Sequence, residues 1–464
     1  MSIGFIRFLG AARTVTGSCY LLTLPKATVL VDCGVVQGAN NSHDRNREPF
    51  LFDPKAIDLL FLTHAHLDHS GLIPRLVREG FKGRIITTTA TADLIGPMLL
   101  DSAKIQESDA ERMSRRSLRT GGGPVEPLYT TEDVEKVLPL IDRAKYGEIR
   151  DTGKGIRYRF TDAGHILGSG SLALWLSGPD REKKIIFSGD IGKKGTPIIN
   201  DPTLATEADY VVMESTYGDR LHKNSEDTAQ ELAESITTTF AKNGNVLIPA
   251  FSIGRTQDVL YLLNRLLREG KLPKITVYID SPLAEKATRI YLSHPELYDE
   301  EAKRLVAGGR IGDSVDVRFT HSAEESMAIN RIKSRAVIIA GSGMCEGGRI
   351  GHHLKHNLWR PECSIVFVGF QAQGTLGRRI VDHAPSVMLW GEEIAVRARV
   401  WTIGGFSAHG DQKELLAWLS AFRSKPTVFV THGEESAALT FADLVRKHYG
   451  FTTQVPELGQ QFDL

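Results

Sequence analysis

Short apolar runs alternate with segments of helical periodicity along most of the chain. Runs such as "ATVLVD", "DLLFLTH", "KIIFSGD", "DYVVMEST" and "TVFVTHG" are rich in β-branched and aromatic residues, which predicts buried strands. Leucines at helical spacing in "RTQDVLYLLNRLLREGK" predict a helix over 255–270 that ends at a glycine. Similar patterns predict helices over 90–113, 227–243 and 411–423. Strands that alternate with helices in this way indicate an α/β fold.

Several predicted strands end in a residue that can do chemistry. These residues are Asp32, His64, Asp190, Glu214 and His432. In open α/β sheets, functional sites collect at the carboxyl ends of the strands, where loops meet over a rigid sheet. One such ending would be unremarkable, but several of them predict a shared site.

The stretch "FLTHAHLDHSG", residues 61–71, places His64, His66, Asp68 and His69 within six positions. Two histidines two residues apart on extended backbone point the same way, whereas the aspartate and the last histidine lie further round the turn. Imidazole nitrogen with carboxylate oxygen suits zinc, and also iron or manganese. A polar turn with incidental histidines is the alternative, and it explains a lone His-x-His better than this set. Four residues cannot complete two coordination spheres, so further ligands are expected elsewhere.

Composition narrows the range of functions. A length of 464 residues exceeds what one core usually serves, which favours two domains or one domain with a large insertion. Lys plus Arg and Asp plus Glu both number 56, so a polyanion would have to be held by local groups. No apolar run approaches the ~18 residues of a membrane span, and the N-terminus lacks the layout of a secretory signal. The few, widely spaced cysteines are expected to be buried thiols of a cytoplasmic protein: Cys19, Cys33, Cys345 and Cys363.

The His-x-His-x-Asp-His spacing resembles the metallo-β-lactamase superfamily, whose fold is a four-layer αββα sandwich with a two-metal site. The other motifs of that superfamily can be matched in order. An aspartate ends an early strand at Asp32 in "VLVDCG", a lone histidine follows at His165 in "TDAGHILGSGS", and a bridging aspartate matches Asp190 in "IIFSGDIG". Taken alone, His165 would more often be structural, and Asp190 could be a turn residue or a helix cap. Their context favours metal ligation.

The rest of the chain resembles the β-CASP group of nucleases, in which an extra α/β domain is inserted within the lactamase fold. The resemblance predicts a first lactamase part over 1–207, an inserted domain over 208–395 and a C-terminal lactamase part over 396–464. It is closest to the bacterial and archaeal relatives of the mRNA 3′-end cleavage endonuclease.

Three further motifs of this group are matched by Glu214 in "MESTYGDR", His409 in "GFSAHGD" and His432 in "THGEE". DNA-directed members typically have valine at the third of these positions, so His432 favours RNA. Each histidine has a structural alternative. His409 could cap the following helix, although Asp411 is better suited to that role, and His432 could be a buried histidine at a strand end.

The resemblance implies two zinc ions, with manganese or iron as alternatives. The implied ligands are His64, His66 and His165 for one ion, Asp68, His69 and His432 for the other, and Asp190 as the bridge. A hydroxide shared by the ions would attack phosphorus in line and leave 5′-phosphate and 3′-hydroxyl ends. His409, oriented by Glu214, would protonate the leaving oxygen, and Asp32 would hold a ligand or the bridging water. The expected catalytic set is Asp32, Asp68, Glu214 and His409.

Glycine-rich loops of the inserted domain are candidates for holding phosphates. "PAFSIGRTQD", "AGSGMCEGGRIGHH" and "QGTLGRR" place small residues between a strand and a helix, which exposes backbone N–H groups at a helix start. Ordinary glycine turns with solvated arginines are an equal alternative for any single loop. The predicted substrate-binding residues are Ser252, Arg255, Ser342, Gly343, His353 and Arg378.

The expected partner is single-stranded RNA, without a membrane, and dimerisation is implied by the resemblance alone. A (thio)ester or lactone hydrolase on the same metal core and a non-catalytic RNA-binding subunit are the alternatives. A flavodiiron-type oxidoreductase places an acidic residue where His66 stands, which argues against that class. The sequence leaves open whether cleavage is endonucleolytic or 5′→3′ exonucleolytic.

Overall fold

A computed structural model describes residues 3–38, 42–178, 181–222, 225–306, 315–369 and 371–464. The strands are β1 Phe5–Phe8, β2 Tyr20–Leu24, β3 Ala27–Val31, β4 Leu59–Phe61, β5 Arg84–Thr88, β6 Ile141–Ala144, β7 Arg150–Asp151, β8 Ile156–Asp162, β9 Gly170–Leu176, β10 Lys183–Phe187, β11 Tyr210–Glu214, β12 Val246–Pro249, β13 Thr276–Asp280, β14 Asp316–Phe319, β15 Ala336–Ala340, β16 Ser364–Phe367, β17 Ser386–Leu389, β18 Glu392–Ala395, β19 Arg399–Thr402, β20 Thr427–Thr431, β21 Thr452–Gln454 and β22 Gln461–Asp463. The helices are α1 Ser42–Arg45, α2 Leu67–Ser70, α3 Ile73–Arg78, α4 Thr89–Arg119, α5 Thr131–Val137, α6 Ser225–Ala241, α7 Arg255–Arg268, α8 Pro282–Ser293, α9 Glu300–Val306, α10 Ala323–Ile329, α11 Ile350–Asn357, α12 Leu376–Val381, α13 Gln412–Leu419 and α14 Glu435–Tyr449.

Two seven-stranded sheets form the centre of the molecule. Their strand orders are β22-β1-β2-β3-β4-β5-β6 and β21-β20-β11-β10-β9-β8-β7. The sheets pack face to face through aromatic side chains, with ring centroids 5.2 Å apart for Phe8 and Phe429 and 5.1 Å apart for Phe61 and Tyr158. Helices α4 and α5 cover the outer face of the first sheet, and α13 and α14 cover that of the second. The predicted αββα sandwich is therefore confirmed.

A third, six-stranded sheet belongs to the inserted unit. Its order is β14-β13-β15-β12-β16-β19, and all its pairs are parallel. Helices α6 and α7 pack on one face, and α11 and α12 pack on the other. Because both faces are covered, the inner strands β12, β15 and β16 are buried along their whole length.

The predicted limits of the inserted domain, 208 and 395, are each displaced by one strand. Strand β11 pairs with β10 and β20 in the second lactamase sheet, and β19 pairs with β16 in the third sheet. The sheet topology thus places the junctions after Glu214 and after Thr402. An apolar run predicts a strand but carries no signal for the sheet that it joins, which is the reason for both differences.

The inserted unit packs directly on the loops that carry the predicted metal ligands. Ala65 and Ile166, each beside a predicted ligand histidine, share a buried cluster with Ile253, Leu283 and Tyr291 of the inserted unit. Buried apolar contacts of this kind fix the two units against each other. The inserted unit therefore forms a wall beside the ligand loops.

The predicted helices occur with shifted ends. Helix α4 runs six residues beyond the predicted end at 113, and α13 ends at Leu419 instead of 423. Asp411 caps α13 in a capping box with Glu414, which is the role that the sequence favoured for it. All four cysteines are free and buried, as predicted. Among the described residues, no helix has the length and apolarity needed to cross a bilayer.

Candidate metal centre and active site

The carboxyl ends of parallel strands from both sheets meet at one edge of the sandwich. Asp32 follows β3 and His64 lies just beyond β4 in the first sheet, while Asp190 lies beyond β10, Glu214 ends β11 and His432 follows β20 in the second. All five side chains are at most 2 % exposed. Burying so many polar and ionisable side chains together costs free energy, so the cluster needs partners that compensate, such as hydrogen-bonding groups or metal ions.

The first ligand set combines three imidazoles and one carboxylate. His66 Nδ1 lies 3.2 Å from both His64 Nε2 and His165 Nε2. Asp190 Oδ2 lies 3.4 Å from His64 Nε2 and 3.5 Å from His165 Nε2. One donor atom from each of these four residues lies within 4.8 Å of every other. Three nitrogens and one oxygen at this spacing match the ligand types of a tetrahedral zinc site.

The second set shares Asp190 with the first. Its donors include Asp68, His69 and His432, whose ligand atoms again lie within 4.8 Å of one another. His69 Nε2 is 3.2 Å from His432 Nε2 and 3.3 Å from Asp190 Oδ1, and Asp68 Oδ2 is 3.5 Å from His432 Nε2. The two oxygens of Asp190 therefore face different sets, which is the arrangement of a bridging carboxylate.

Two observations show that these residues fit metal ions. Asp190 Oδ1 is buried and makes no hydrogen bond within the described part of the chain, so an acceptor is left for a cation. Burial lowers the pKa of His64 and of His165 well below the ordinary value and that of His66 to about 4. These imidazoles are therefore neutral, as metal ligation requires.

Carboxylates concentrate negative potential around the second set. Burial opposes a charge on His69, but the carboxylates of Asp190 and Asp32 outweigh it and hold the pKa of His69 well above its usual value. For Asp68, burial is outweighed by His432 and His69, and its pKa falls to about 2. Positive charge is thus stabilised here, and a divalent ion would supply it.

Asp32 orients His69 by contacting the ring nitrogen that faces away from the second ligand set. His69 Nδ1 donates to Asp32 Oδ2 at 2.7 Å, which leaves Nε2 to face His432. The carboxylate also accepts from Thr63 N and Thr63 Oγ1 at 2.8 and 2.9 Å. Asp32 has a left-handed backbone, with φ of 58°. Contacts of this kind favour a supporting role for Asp32, since a carboxylate behind a histidine fixes its tautomer and ring orientation, and that role remains a prediction.

We expect Asp32→Asn to weaken the second metal site by about 10- to 100-fold in metal affinity. Asparagine tolerates a left-handed backbone, so the substitution removes the negative charge behind His69 with little change in conformation. Titration of the metal-free variant with zinc, followed by calorimetry, measures the effect. Asp58→Asn is the matched control, because Asp58 lies before β4, at the opposite end from His64, and binds Lys154. Equal zinc affinities for Asp32→Asn and wild type would contradict the supporting role.

Two glycines allow the ligand loops to approach the strands. A Cβ on Gly34 would lie 1.6 Å from the carbonyl oxygen of Asp68, and one on Gly192 would lie 1.6 Å from that of Gly164. The first contact holds the loop of Asp68 and His69, and the second holds the loop of His165. A side chain at either glycine would push a ligand out of place.

Glu214 and His409 form a pair beside the metal sets. His409 Nδ1 lies 3.2 and 3.1 Å from the two carboxylate oxygens of Glu214, which also accepts from Ile191 N at 2.6 Å. Burial opposes a charge on His409, but the carboxylates of Glu214 and Asp190 raise its pKa to about 9. Since Nδ1 is engaged, Nε2 is the nitrogen left to meet a substrate. The His409 side chain keeps 19 % exposure, similar to the 17% of Asp68.

Asp190, Glu214, His409 and His432 also place ligand atoms within 4.8 Å of one another. The engagement of Glu214 with His409 and with a backbone amide favours an acid–base pair over a third metal site. His165 is tied to the same loop, because its Nδ1 lies 3.2 Å from the carbonyl oxygen of Ala408.

Three of the predicted substrate-binding residues lie on two loops that meet beside this cluster. Ser252 Oγ is 2.8 Å from Ser281 Oγ. Ser342 Oγ is buried and forms no hydrogen bond to any described residue. A Cβ on Gly343 would lie 3.0 Å from the ring of Phe251, whose centroid is 6.3 Å from that of His66. Substrate binding by these three remains a prediction.

The two predicted arginines have partners of their own. Arg255 NH1 is 3.1 Å from Asp258 Oδ2, and its guanidinium lies 5.9 Å from the ring centroid of Phe406 on the segment that leads to His409. Arg378 of α12 pairs at 2.9 Å with Asp382, the C-terminal cap of the same helix, and is 39 % exposed in its side chain. Arg255 therefore borders the cluster, whereas Arg378 faces an acid on its own helix.

The structure gives no support to the prediction that His353 binds substrate. His353 is fully buried, with Nε2 2.7 Å from Asp280 Oδ2 and Nδ1 2.9 Å from Asn330 Oδ1. Although burial opposes the charge on Asp280, His353 and the neighbouring hydroxyls of Ser326 and Thr320 hold the pKa of Asp280 below its usual range. His353 was predicted from a glycine-rich loop, but it lies on α11, where helical geometry turns it into the core.

Sequence reasoning missed the groups that support the ligands. Thr63 contacts Asp32, and Thr216 Oγ1 lies 3.1 Å from His432 Nδ1. The carbonyl of Ala408 and the amide of Ile191 left no signal in the sequence, because every residue has such groups. Phe251 did leave one: it is an aromatic residue inside a loop of small residues, next to Ser252.

Family comparisons cover most of the chain. The metallo-β-lactamase superfamily matches residues 12–236, the Beta-Casp domain matches 256–380, and the Zn-dependent metallo-hydrolase RNA specificity domain matches 393–456. The Beta-Casp match lies within the inserted unit, and the third match contains His409 and His432.

Relatives are found in bacteria and archaea. Ribonuclease TTHA0252 of Thermus thermophilus is 39% identical over 437 residues, 94% of each chain. An RNase J-like protein of Methanocaldococcus jannaschii is 32% identical over 98% of each chain. The transcription termination factor FttA of Methanosarcina mazei is 30% identical over 96% of this chain and 69% of its own. A crystal structure of a protein of unknown function from Enterococcus faecalis shares the fold, with a TM-score of 0.55, 13% identity and coverage of 99% of this chain and 100% of its own.

Proposed function

We propose that this chain, which belongs to the β-CASP group of the metallo-β-lactamase superfamily, is a zinc-dependent ribonuclease that hydrolyses phosphodiester bonds of single-stranded RNA. Membership of the group supports a metal-dependent hydrolase of the nuclease type. The observation that carries the proposal is the pair of ligand sets joined by Asp190, with His409 and Glu214 beside them. A non-catalytic RNA-binding subunit would be expected to lack ligands, and every predicted ligand is present. We place its activity in the cytoplasm, in agreement with four free cysteines.

The chain's own residues supply the metal-binding groups and the proton. When bound, two zinc ions, with manganese or iron as alternatives, supply Lewis acidity that lowers the pKa of water and neutralises phosphoryl charge. His64, His66 and His165 would hold one ion and Asp68, His69 and His432 the other, with Asp190 shared. Glu214 fixes Nδ1 of His409, so that Nε2 donates a proton to the leaving 3′ oxygen.

The expected products carry 5′-phosphate and 3′-hydroxyl ends. Water provides the attacking oxygen, so the 2′-hydroxyl of RNA has no role in the chemistry. Preference for RNA must then come from shape and from contacts along the strand. The inserted unit packs beside the ligand loops, which supports a cleft between the two units as the path of that strand.

Cleavage is endonucleolytic, 5′→3′ exonucleolytic or both, and one experiment separates these modes. The metal-loaded protein is incubated with labelled circular RNA and with linear RNAs that carry a 5′-triphosphate or a 5′-monophosphate. Cleaved circles show endonuclease activity, and dependence on the 5′-monophosphate shows exonuclease activity. We expect chelation to abolish both. Hydrolysis of a thioester with no cleavage of any RNA would overturn the proposal in favour of a small-molecule hydrolase.

A further inference from the structure

Phe251 is an exposed aromatic residue beside the metal cluster. It is 37% exposed and lies in the loop between β12 and α7, between buried Ala250 and half-buried Ser252. Its ring centroid is 6.3 Å from that of His66, and the two ring planes are inclined at 45°. Scattered apolar side chains on a protein surface are normal. The ring of Phe251, however, is next to that of His66, a predicted metal ligand. A substrate phosphate is expected to bind at this place.

The loop holds Phe251 firmly in that place. Its carbonyl oxygen accepts from Thr256 N at 3.2 Å and from Thr256 Oγ1 at 2.8 Å, and Ala250 N donates to Ala340 O at 3.1 Å. Ile253 is buried in the cluster that joins the two units. These contacts hold the backbone of Phe251 in place, so the exposed ring projects from a well-anchored loop, which lowers the entropy cost of binding a partner.

The ring rests on a second loop that is shaped to receive it. An added Cβ on Gly343 would lie 3.0 and 3.1 Å from two ring carbons of Phe251, closer than side-chain contacts normally allow. Glycine at 343 thus lets one edge of the ring pack on backbone while the rest stays accessible. Polar hydroxyls lie close by, on Ser252 and on its partner Ser281.

We propose that Phe251 stacks on the nucleobase next to the scissile phosphate and so positions the RNA strand over the metal cluster. The proposal rests on the proposed ribonuclease function. Aromatic faces are the general means by which proteins hold unpaired bases, and stacking tolerates any base sequence. Phe251 would act as a substrate-positioning residue, with no part in proton transfer or metal binding.

We expect Phe251→Ala to raise KM for single-stranded RNA by about 10- to 100-fold, with a smaller change in kcat. Phe251→Trp should keep a low KM because it preserves a stacking face. Phe251→Leu preserves apolar bulk without such a face, so it should resemble the alanine variant. Trp359→Ala is the matched control, since Trp359 is an exposed aromatic of the inserted unit, 52% exposed, in the segment after α11. Unchanged metal content and thermal stability will show that the site is intact.

RNA with one abasic nucleotide beside the cleavage site tests the stacking directly. A protein with Phe251 should bind the abasic RNA more weakly than the intact RNA, by a factor similar to the effect of Phe251→Ala on binding of the intact RNA. The Phe251→Ala protein should bind the abasic and the intact RNA with equal affinity. Binding is measured by fluorescence anisotropy in a His409→Asn background, in which cleavage is slow enough for binding to be followed first. If wild type cleaves RNA but Phe251→Ala has the KM of wild type, the stacking proposal fails and the ribonuclease proposal stands. If RNA is bound but never cleaved, the ribonuclease proposal fails, and the abasic comparison still decides the role of Phe251. If RNA is neither bound nor cleaved, both proposals are overturned.

Discussion

Asparagine in place of Asp190 is expected to abolish the two-metal site and to lower kcat/KM for RNA by at least about 10³-fold, the loss of several kcal/mol of transition-state stabilisation. Asp190 Oδ2 faces His64 and His165, and Asp190 Oδ1 faces His69 at 3.3 Å. Asparagine keeps one of these oxygens and turns an amide N–H group toward the other ligand set. The amide nitrogen would point its hydrogens toward a metal ion, so the ligand set that faces it loses residue 190 as a ligand. The other set keeps an oxygen from residue 190 but loses the negative charge of the carboxylate.

Metal analysis of the purified variant, together with single-turnover cleavage of labelled RNA, checks this expectation. The matched control is Asp209→Asn in the same half of the molecule. Asp209 precedes β11, at the end of the strand opposite to Glu214, and binds Arg181 and the amide of Lys184. The control should keep its metal and its rate. An Asp190→Asn protein that retains two metal ions per chain and cleaves at the wild-type rate would rule out the bridging role.

The convergence of most proposed ligands could be predicted from the sequence because most of them, His165 excepted, have a local signature. His64, His66, Asp68 and His69 occupy one short stretch after a strand, and Asp190 and His432 each follow an apolar run. Parallel strands place their carboxyl ends at one edge of the sheet. Local sequence together with strand direction was therefore enough to indicate that these residues meet.

Properties that depend on distant pairing could not be predicted in the same way. The apolar runs of β11 and β19 give no indication of the sheet that each one joins, because hydrogen bonding between strands involves the backbone alone. The burial of His353 depends on Asp280, which lies on another element 73 residues away. The support of His165 comes from a backbone carbonyl at Ala408. Such contacts are fixed by the tertiary structure, so residue types alone do not reveal them.

Replacing His409 with asparagine is expected to slow RNA cleavage by about 10²- to 10⁴-fold while leaving both metal ions in place. His409 is held by Glu214 rather than by the ligand sets, and its Nδ1 is 3.9 Å from Asp190 Oδ2. The loss therefore falls on proton transfer to the leaving 3′ oxygen. Metal analysis and single-turnover rates separate this variant from Asp190→Asn, which should lose both metal and activity. His448→Asn, an exposed histidine near the end of α14, is the matched control.

A substrate whose leaving group needs no proton distinguishes an acid from a merely structural histidine. In an RNA with sulfur at the bridging 3′ position the leaving group is a thiolate, and the parent thiol has a pKa of only about 8.5. Cleavage of this RNA by His409→Asn should approach the wild-type rate, because general acid catalysis contributes little when the leaving group is stable as an anion. If the variant is equally slow on the sulfur and oxygen substrates, His409 acts by shaping the site or binding the phosphate, and the acid assignment is wrong. Glu214→Gln should slow cleavage of the ordinary RNA less than His409→Asn does, because it weakens the contact to His409 without removing the imidazole. Its cleavage of the sulfur substrate should likewise approach the wild-type rate.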